Sequence, residues 1–499
     1  MTNKQTKQAK RSSGPWDFLG LPRPQYAPSA EVLVSSLVWD ITEKKSLDLD
    51  GQKNDGLVYR KTAKGLSGKR NIVETTPKRN GAKWQALAQH LDRELGIYDP
   101  SHADQAVGIL CEDFVGSVPP RANAKAIVPL TLTSALMQDV RGMSGVDNPP
   151  DFAKIIGRMY ALGGGEASAS ALLVESLAGI KADWLDDFIN KMAPDEVSAL
   201  ASTLSGARDH HNDNRRPVPV WLDNASSPYR WFAVTWQNLM ANGWIDVMPR
   251  RRWIDWAACV LRTALGTGFV FEMNFYYQLV LGLDGVEAPV EVRRKCLSSS
   301  QPFFLWDAMA SVSSRDVASK VKKLCDRGTA CRTMLSDWID EDESFPLPAN
   351  FIDHEEGLEN WIKAARTWLD GHAASEALRK RLAGALSGKA NRSAKNVYEL
   401  TRYALQDRGS ASEEDLYSMM RKRGQRYTVV EPGQEWFVVV ASLIAPGPGS
   451  RARVADLVSS LELLGIEASY QTITSELERV GLGRSSHDAD DAIEIATAF

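Results

Sequence analysis

Apolar residues recurring every three or four positions run through most of this chain, and they confine it to a mainly α fold. Trp84, Leu87, Leu91 and Leu95 share one helical face before Gly96. Phe152, Ile155, Ile156, Met159 and Tyr160 form a second stripe, closed by three glycines at 163–165. Trp184, Leu185, Phe188, Ile189 and Met192 form a third. Pro194 then opens a fourth helix carrying Val197, Leu200 and Leu204, using proline where its missing N–H costs nothing. The spacing returns at Trp253, Trp256, Ala257, Val260 and Leu261, again at Trp361, Ala364, Ala365, Trp368 and Leu369, and finally at Leu378, Leu382 and Leu386. Such stripes are the core-facing sides of short packed helices. No fixed period of about 33 to 47 residues marks a solenoid.

At 499 residues the chain exceeds what one hydrophobic core usually supports, so several domains are expected. The reading divides it into a disordered basic tail (1–30), a mixed, loop-rich region (31–150), a helical domain (151–336), an acidic, proline-containing linker (337–350), a helical segment (351–410) and a C-terminal domain (411–499). Within the second of these, Val32, Leu33, Val34, Leu37, Val38 and Trp39 fit either a buried strand or a helix face. With 43% hydrophobic and 24% charged residues and a net charge of −4, the composition is that of an ordinary globular protein. No run of 18 uninterrupted apolar residues and no signal-peptide pattern occurs, which places the expected location in the cytoplasm without a membrane. Five cysteines fit a reducing compartment and free thiols, and their spacing matches no metal site, so neither a metal nor another cofactor is expected.

Residues 435–499 read as a winged helix-turn-helix. An apolar helix (435–445), a Pro-Gly break, a second helix (451–464), a turn at Gly465, a third helix (469–480) and a closing strand (493–499) follow in order. The surface of the third helix would present Tyr470, Gln471, Ser475 and Arg479. Residues 432–499 hold ten acidic residues against four basic ones, a net of −6. Because phosphate attraction supplies most non-specific DNA affinity, this balance favours protein docking or dimerisation over DNA reading.

Positive charge lies elsewhere. Residues 1–100 carry seventeen Lys or Arg against eleven Asp or Glu, with basic pairs at Lys44–Lys45, Arg60–Lys61, Lys69–Arg70 and Lys78–Arg79. Between 215 and 256, eight aromatic residues alternate with arginines, ending in Arg250, Arg251 and Arg252. Aromatics beside arginines either stack bases or form a core with a charged rim. Three cations at a helix start oppose the helix dipole and point to an anionic partner. His210 and His211, in a polar run, are raw material for acid–base chemistry or simply a turn.

No phosphate-binding loop, dinucleotide fingerprint, nucleophile elbow or zincin signature is present. The sequence therefore leads to a non-enzymatic scaffold or regulatory subunit of a DNA-associated multiprotein complex, holding protein subunits or a second copy of itself. Direct nucleic-acid binding through Lys69, Arg70, Lys78, Arg79 and Arg250–Arg252 is the alternative, and an enzyme centred on His210 and His211 the weaker one.

Overall fold

A computed structural model describes residues 17–24, 29–42, 58–64, 70–75, 79, 81–96, 100–115, 126–138, 140, 151–204, 217–223, 225–298, 303–307, 309–388, 392–409, 414–424, 426–484 and 494–499. It is mainly helical, as the periodicity requires.

The N-terminal part comprises α1 (Ala30–Ile41), an antiparallel hairpin of β1 (Val58–Lys64) and β2 (Arg70–Thr75), then α2 (Ala82–Leu95), α3 (Pro100–Val115) and the short α4 (Leu132–Leu136). The apolar cluster at 32–39 is thus a helix, with Val34, Leu37 and Val38 fully buried. Leu95 lies outside the stripe assigned to it and is 49% exposed, because Gly96 adopts a left-handed φ of 64° and ends the helix there.

The tail expected over 1–30 needs correction from Asp17 onward; residues 1–16 lie outside the described residues. Phe18, Leu19 and Leu21 are buried, and the Phe18 ring meets Trp221, Phe275 and Trp361 edge-on at 4.9–5.9 Å. One phenylalanine in an aromatic socket outweighs the polar, basic composition on which a disordered tail was expected.

Next come α5 (Phe152–Leu162), α6 (Ala169–Gly179), α7 (Trp184–Met192), α8 (Asp195–Leu204), α9 (Pro228–Ala241), α10 (Trp244–Val247) and α11 (Arg250–Gly282). Side chains of Asp151, Ser168, Asp183 and Ser227 cap α5, α6, α7 and α9, satisfying amides that the first turn leaves without partners. The 33-residue α11 is the axis of the molecule, packed by α1, α5, α9 and later helices. It is long and apolar enough to cross a membrane, but 89% of its apolar window is buried inside the protein. The tryptophans of 215–256 belong to this core: Trp221, Trp231, Trp236, Trp244, Trp253 and Trp256 are each at most 2% exposed.

Then follow α12 (Pro289–Leu297), β3 (Phe304–Trp306), α13 (Ala318–Glu341), α14 (Gly357–Gly371), α15 (Ser375–Ser387) and α16 (Arg392–Leu405). Residues 337–350, expected as a linker, form the last turn of α13 and a packed corner. Phe345 is buried there against Trp338, Trp361 and Trp368.

The C-terminal part contains the hairpin β4 (Met420–Arg423) and β5 (Tyr427–Val430), α17 (Gln434–Ser442), β6 (Arg451–Arg453), α18 (Val454–Leu463), β7 (Ile466–Ala468), α19 (Tyr470–Val480), β8 (Gly483–Arg484) and β9 (Glu494–Ala496). Strands β6, β9 and β8 make a small antiparallel sheet, while β7 pairs in parallel with β3. This part is joined to the helical core by directed contacts. Asn238 donates to the carbonyls of Leu443 and Ala445, Trp231 to Ser460 Oγ, and Trp436 to Thr263 Oγ1.

Candidate nucleic-acid interface

The cations expected to meet an anion are engaged within the chain. The Arg250 side chain, 12% exposed, reaches Asp186 at 3.1 Å and Asp183 at 3.3 Å, both on or capping α7. Arg251 pairs with Asp255 at 3.0 Å, one turn on. Arg252 pairs with Glu435 at 2.5 Å and donates to Tyr417 Oη at 3.2 Å; the glutamate bond, chiefly, raises its pKa. Within the chain these arginines meet carboxylates at the start of α7, on α11 and on α17, which offset their placement against the helix dipole. Arg79 pairs with Asp104 at 3.0 Å. Lys69, Lys78, His210 and His211 lie outside the described residues, as does the Arg70 side chain, although its backbone belongs to β2. On α19, Tyr470, Gln471, Ser475 and Arg479 are exposed, and Arg479 is tied to Glu476 at 2.6 Å.

A different cluster concentrates positive charge. In the sequence Met-Arg-Lys-Arg-Gly-Gln-Arg-Tyr at 420–427, Met420–Arg423 pair with Tyr427–Val430 as the β4–β5 hairpin, and Gly424 has φ +63°, a conformation glycine adopts without strain. Strand β5 buries Thr428, Val429 and Val430, and the Thr428 carbonyl accepts from the Val317 amide at 2.9 Å. The inner strand so anchored leaves β4 outside, with Lys422 and Arg423 exposed. Beside β4 runs the segment that follows α16: the Met419 amide donates to the Leu405 carbonyl at 2.9 Å and the Asp407 amide to the Met420 carbonyl at 2.8 Å.

Between the hairpin and the end of α16 lies a groove of about 390 Å³, lined by five cations (Arg402, Arg408, Arg421, Lys422 and Arg423) and by Tyr403, with the carboxylates Asp407 and Glu414 also on its wall. Arg402 and Arg408 lie over the Tyr403 ring at 4.6 and 5.3 Å, and Arg426 over Tyr427 at 5.5 Å. Arg421 is matched bidentately by Glu414 at 3.0 and 3.2 Å, and Arg423 by Glu431. Among the described residues, no carboxylate forms an ion pair with Arg402, Arg408, Lys422 or Arg426. Burial, and then the charge of Arg262, lower the pKa of Arg408. No known protein family matches this chain, and no curated protein is significantly similar to it.

A buried pair holds the wall in place. Arg262 of α11 donates to Asp415 at 2.6 and 3.2 Å and to the Ala404 carbonyl at 3.0 Å. Burial disfavours the Asp415 charge, but Arg262 outweighs it and keeps the pKa below the usual carboxylate value. One guanidinium thereby fixes the end of α16 relative to the loop that leads into β4.

Chemically, such a wall offers donors suited to anionic oxygens. Guanidinium forks and an ammonium spread along a hairpin edge suit a row of phosphodiesters, and the tyrosines hold the long side chains in place. Among the described residues, no group of three or more His, Cys, Asp or Glu could hold a metal ion. The run at 421–426 is visible in the sequence as four cations in six residues around a glycine, a hairpin signal that a search by helical period does not register. Its partners Arg402 and Arg408 carry no such signal, since the α16-to-β4 pairing brings them alongside.

Proposed function

We propose that this protein is a non-enzymatic scaffold of a DNA-associated complex and that it grips duplex nucleic acid through the β4–β5 hairpin and its groove. The observation that carries the reading is three cations of the groove lining, Arg402, Arg408 and Lys422, with Arg426 at the hairpin turn, that among the described residues have no carboxylate ion pair, against the arginines of 250–252, which are all paired. A β-ribbon of basic side chains is a known way to follow a duplex. We further propose that residues 434–499 are a winged-helix module. The order helix, strand, helix, strand, helix, strand, strand and the β6–β9–β8 sheet support it. Its third helix, α19, offers Tyr470, 52% exposed, with Gln471, Ser475 and Arg479 to a protein subunit or a second copy of the chain. The acidic charge of the module keeps that face off DNA. The five free cysteines fit the cytoplasmic location proposed for it.

Fluorescence anisotropy of a labelled duplex tests the DNA contact with two variants. Lys422→Ala/Arg426→Ala should weaken binding and lower the steepness of its salt dependence by about 2, close to one for each phosphate no longer neutralised. Arg251→Ala should leave both unchanged. The reverse pattern would return the contact to the start of α11, and unchanged binding in the hairpin variant would remove it from the hairpin.

A further inference from the structure

On another side of the molecule, a cleft of about 560 Å³ opens between the ordered N-terminal segment, α5 and α13. That volume is typical of small-molecule sites. Its floor is one face of α5, where Ala153, Gly157 and Ala161 succeed one another at four-residue spacing.

Gly157 is the member without a side chain. A glycine inside a helix costs about 1 kcal/mol relative to alanine, and close packing commonly accounts for it. At some helical positions of this fold it does so: a Cβ at Gly266 would lie 2.3 Å from Leu405, and one at Gly328 2.4 Å from the Met273 carbonyl oxygen, whereas Gly108 and Gly384 face open space. At Gly157 a Cβ would meet nothing within 4 Å. Protein packing therefore gives no reason for the missing side chain, and the space it leaves is on the cleft floor.

Cations surround this floor. Lys154 and Arg158 flank Gly157, while Arg23 and Arg332 line the opposite side. Arg158 donates to the carbonyls of Leu19 at 2.6 Å and Pro217 at 3.2 Å, contacts that orient its guanidinium. Arg332 is matched by Asp17 at 2.7 Å and Glu272 at 2.9 Å. Lys154 has Asp151 at 3.4 Å on the solvent side. Asp40, which accepts from Ser170 Oγ at 2.8 Å, is the carboxylate left on the lining, and burial raises its pKa. Ser168 adds a hydroxyl at the rim.

We propose that this cleft binds a mononucleotide. A planar base lies on the Ala153–Gly157–Ala161 face, where a side chain at 157 would stand in its way. The phosphate is met by Arg23, Lys154 and Arg158, and Asp40 with Ser168 supplies polar partners for the sugar or base edge. The site is separate from the hairpin groove and does not depend on the DNA contact.

Isothermal titration of the full chain with AMP, adenosine and inorganic phosphate tests this. AMP should bind saturably at one site, and at least tenfold more tightly than either fragment. Gly157→Leu enters the cleft from a Cβ position that has nothing within 4 Å and restores a good helix former, so it should abolish AMP binding while thermal unfolding stays at or above the wild-type temperature. Arg23→Ala should weaken AMP about tenfold and leave adenosine unchanged. Lys422→Ala/Arg426→Ala should bind AMP normally. Equal affinity for phosphate and AMP, no AMP binding by the wild type, or wild-type affinity in a folded Gly157→Leu protein would each overturn the assignment.

Discussion

Glu272 lies in the middle of α11, fully buried, with one oxygen 2.9 Å from Arg332, whose guanidinium also reaches Asp17. Two carboxylates thus share one guanidinium at the centre of the fold. Burial is the dominant influence on Glu272 and raises its pKa from 4.5 to about 7, despite the attraction of Arg332. In the unfolded chain the same group titrates near its ordinary value. Between those two pH values the folded protein therefore holds a proton that the unfolded chain has released, and stability falls as pH rises through the window. A pKa displacement of that size corresponds to about 3 kcal/mol, at about 1.4 kcal/mol per pH unit. Glu272→Gln keeps the shape and an oxygen beside Arg332 while removing the titration. Urea unfolding of both proteins across the window measures the difference and cancels every other titrating group. The variant should match the wild type at the acidic end and exceed it by up to about 3 kcal/mol at the neutral end. Parallel curves, or a variant that loses stability as pH rises, would show that Glu272 is ionised throughout and refute the reasoning.

Phe18→Ala should destabilise the protein by about 3–5 kcal/mol and expose residues 17–24 to proteolysis, because it empties a socket formed by three aromatic rings. Arg262→Ala should cost about 3–5 kcal/mol by stranding the buried Asp415 carboxylate, read by chemical denaturation, and should also weaken duplex binding by loosening the groove wall. All five cysteines are buried, and burial pushes the thiols of Cys259 and Cys331 up to about 12. A thiol reagent such as dithionitrobenzoate should titrate none of them in the native protein and all five in denaturant.

Helical periodicity made the array legible because helices that bury one face must show it in the sequence, as 152–162 and 184–192 do. Where a helix is buried all round, that contrast fades. Helix α11 presents Trp253, Phe269, Val270, Phe271 and Tyr276 to neighbours on every side, and only its opening turns were recognisable. Composition misled where a few residues decide the outcome, as at Phe18 and at Phe345. The candidate edge was partly visible, since four cations fall within 421–426. Arg402 and Arg408 join them only because the chain after α16 pairs with β4, a long-range event with no local signature. The arginines at 250–252 show the converse: their conflict with the helix dipole was real, and its resolution lay in Asp183, Asp186 and Glu435, tens to hundreds of residues away.

The most direct measurement is the salt dependence of duplex binding by the full-length protein. Four cations that carry no carboxylate ion pair among the described residues should give a log–log slope near −4 and bring affinity down more than a hundredfold between about 50 and 200 mM salt. A duplex that is not retained at about 50 mM, or affinity that hardly changes over that range, would contradict a phosphate-gripping groove at the β4–β5 hairpin.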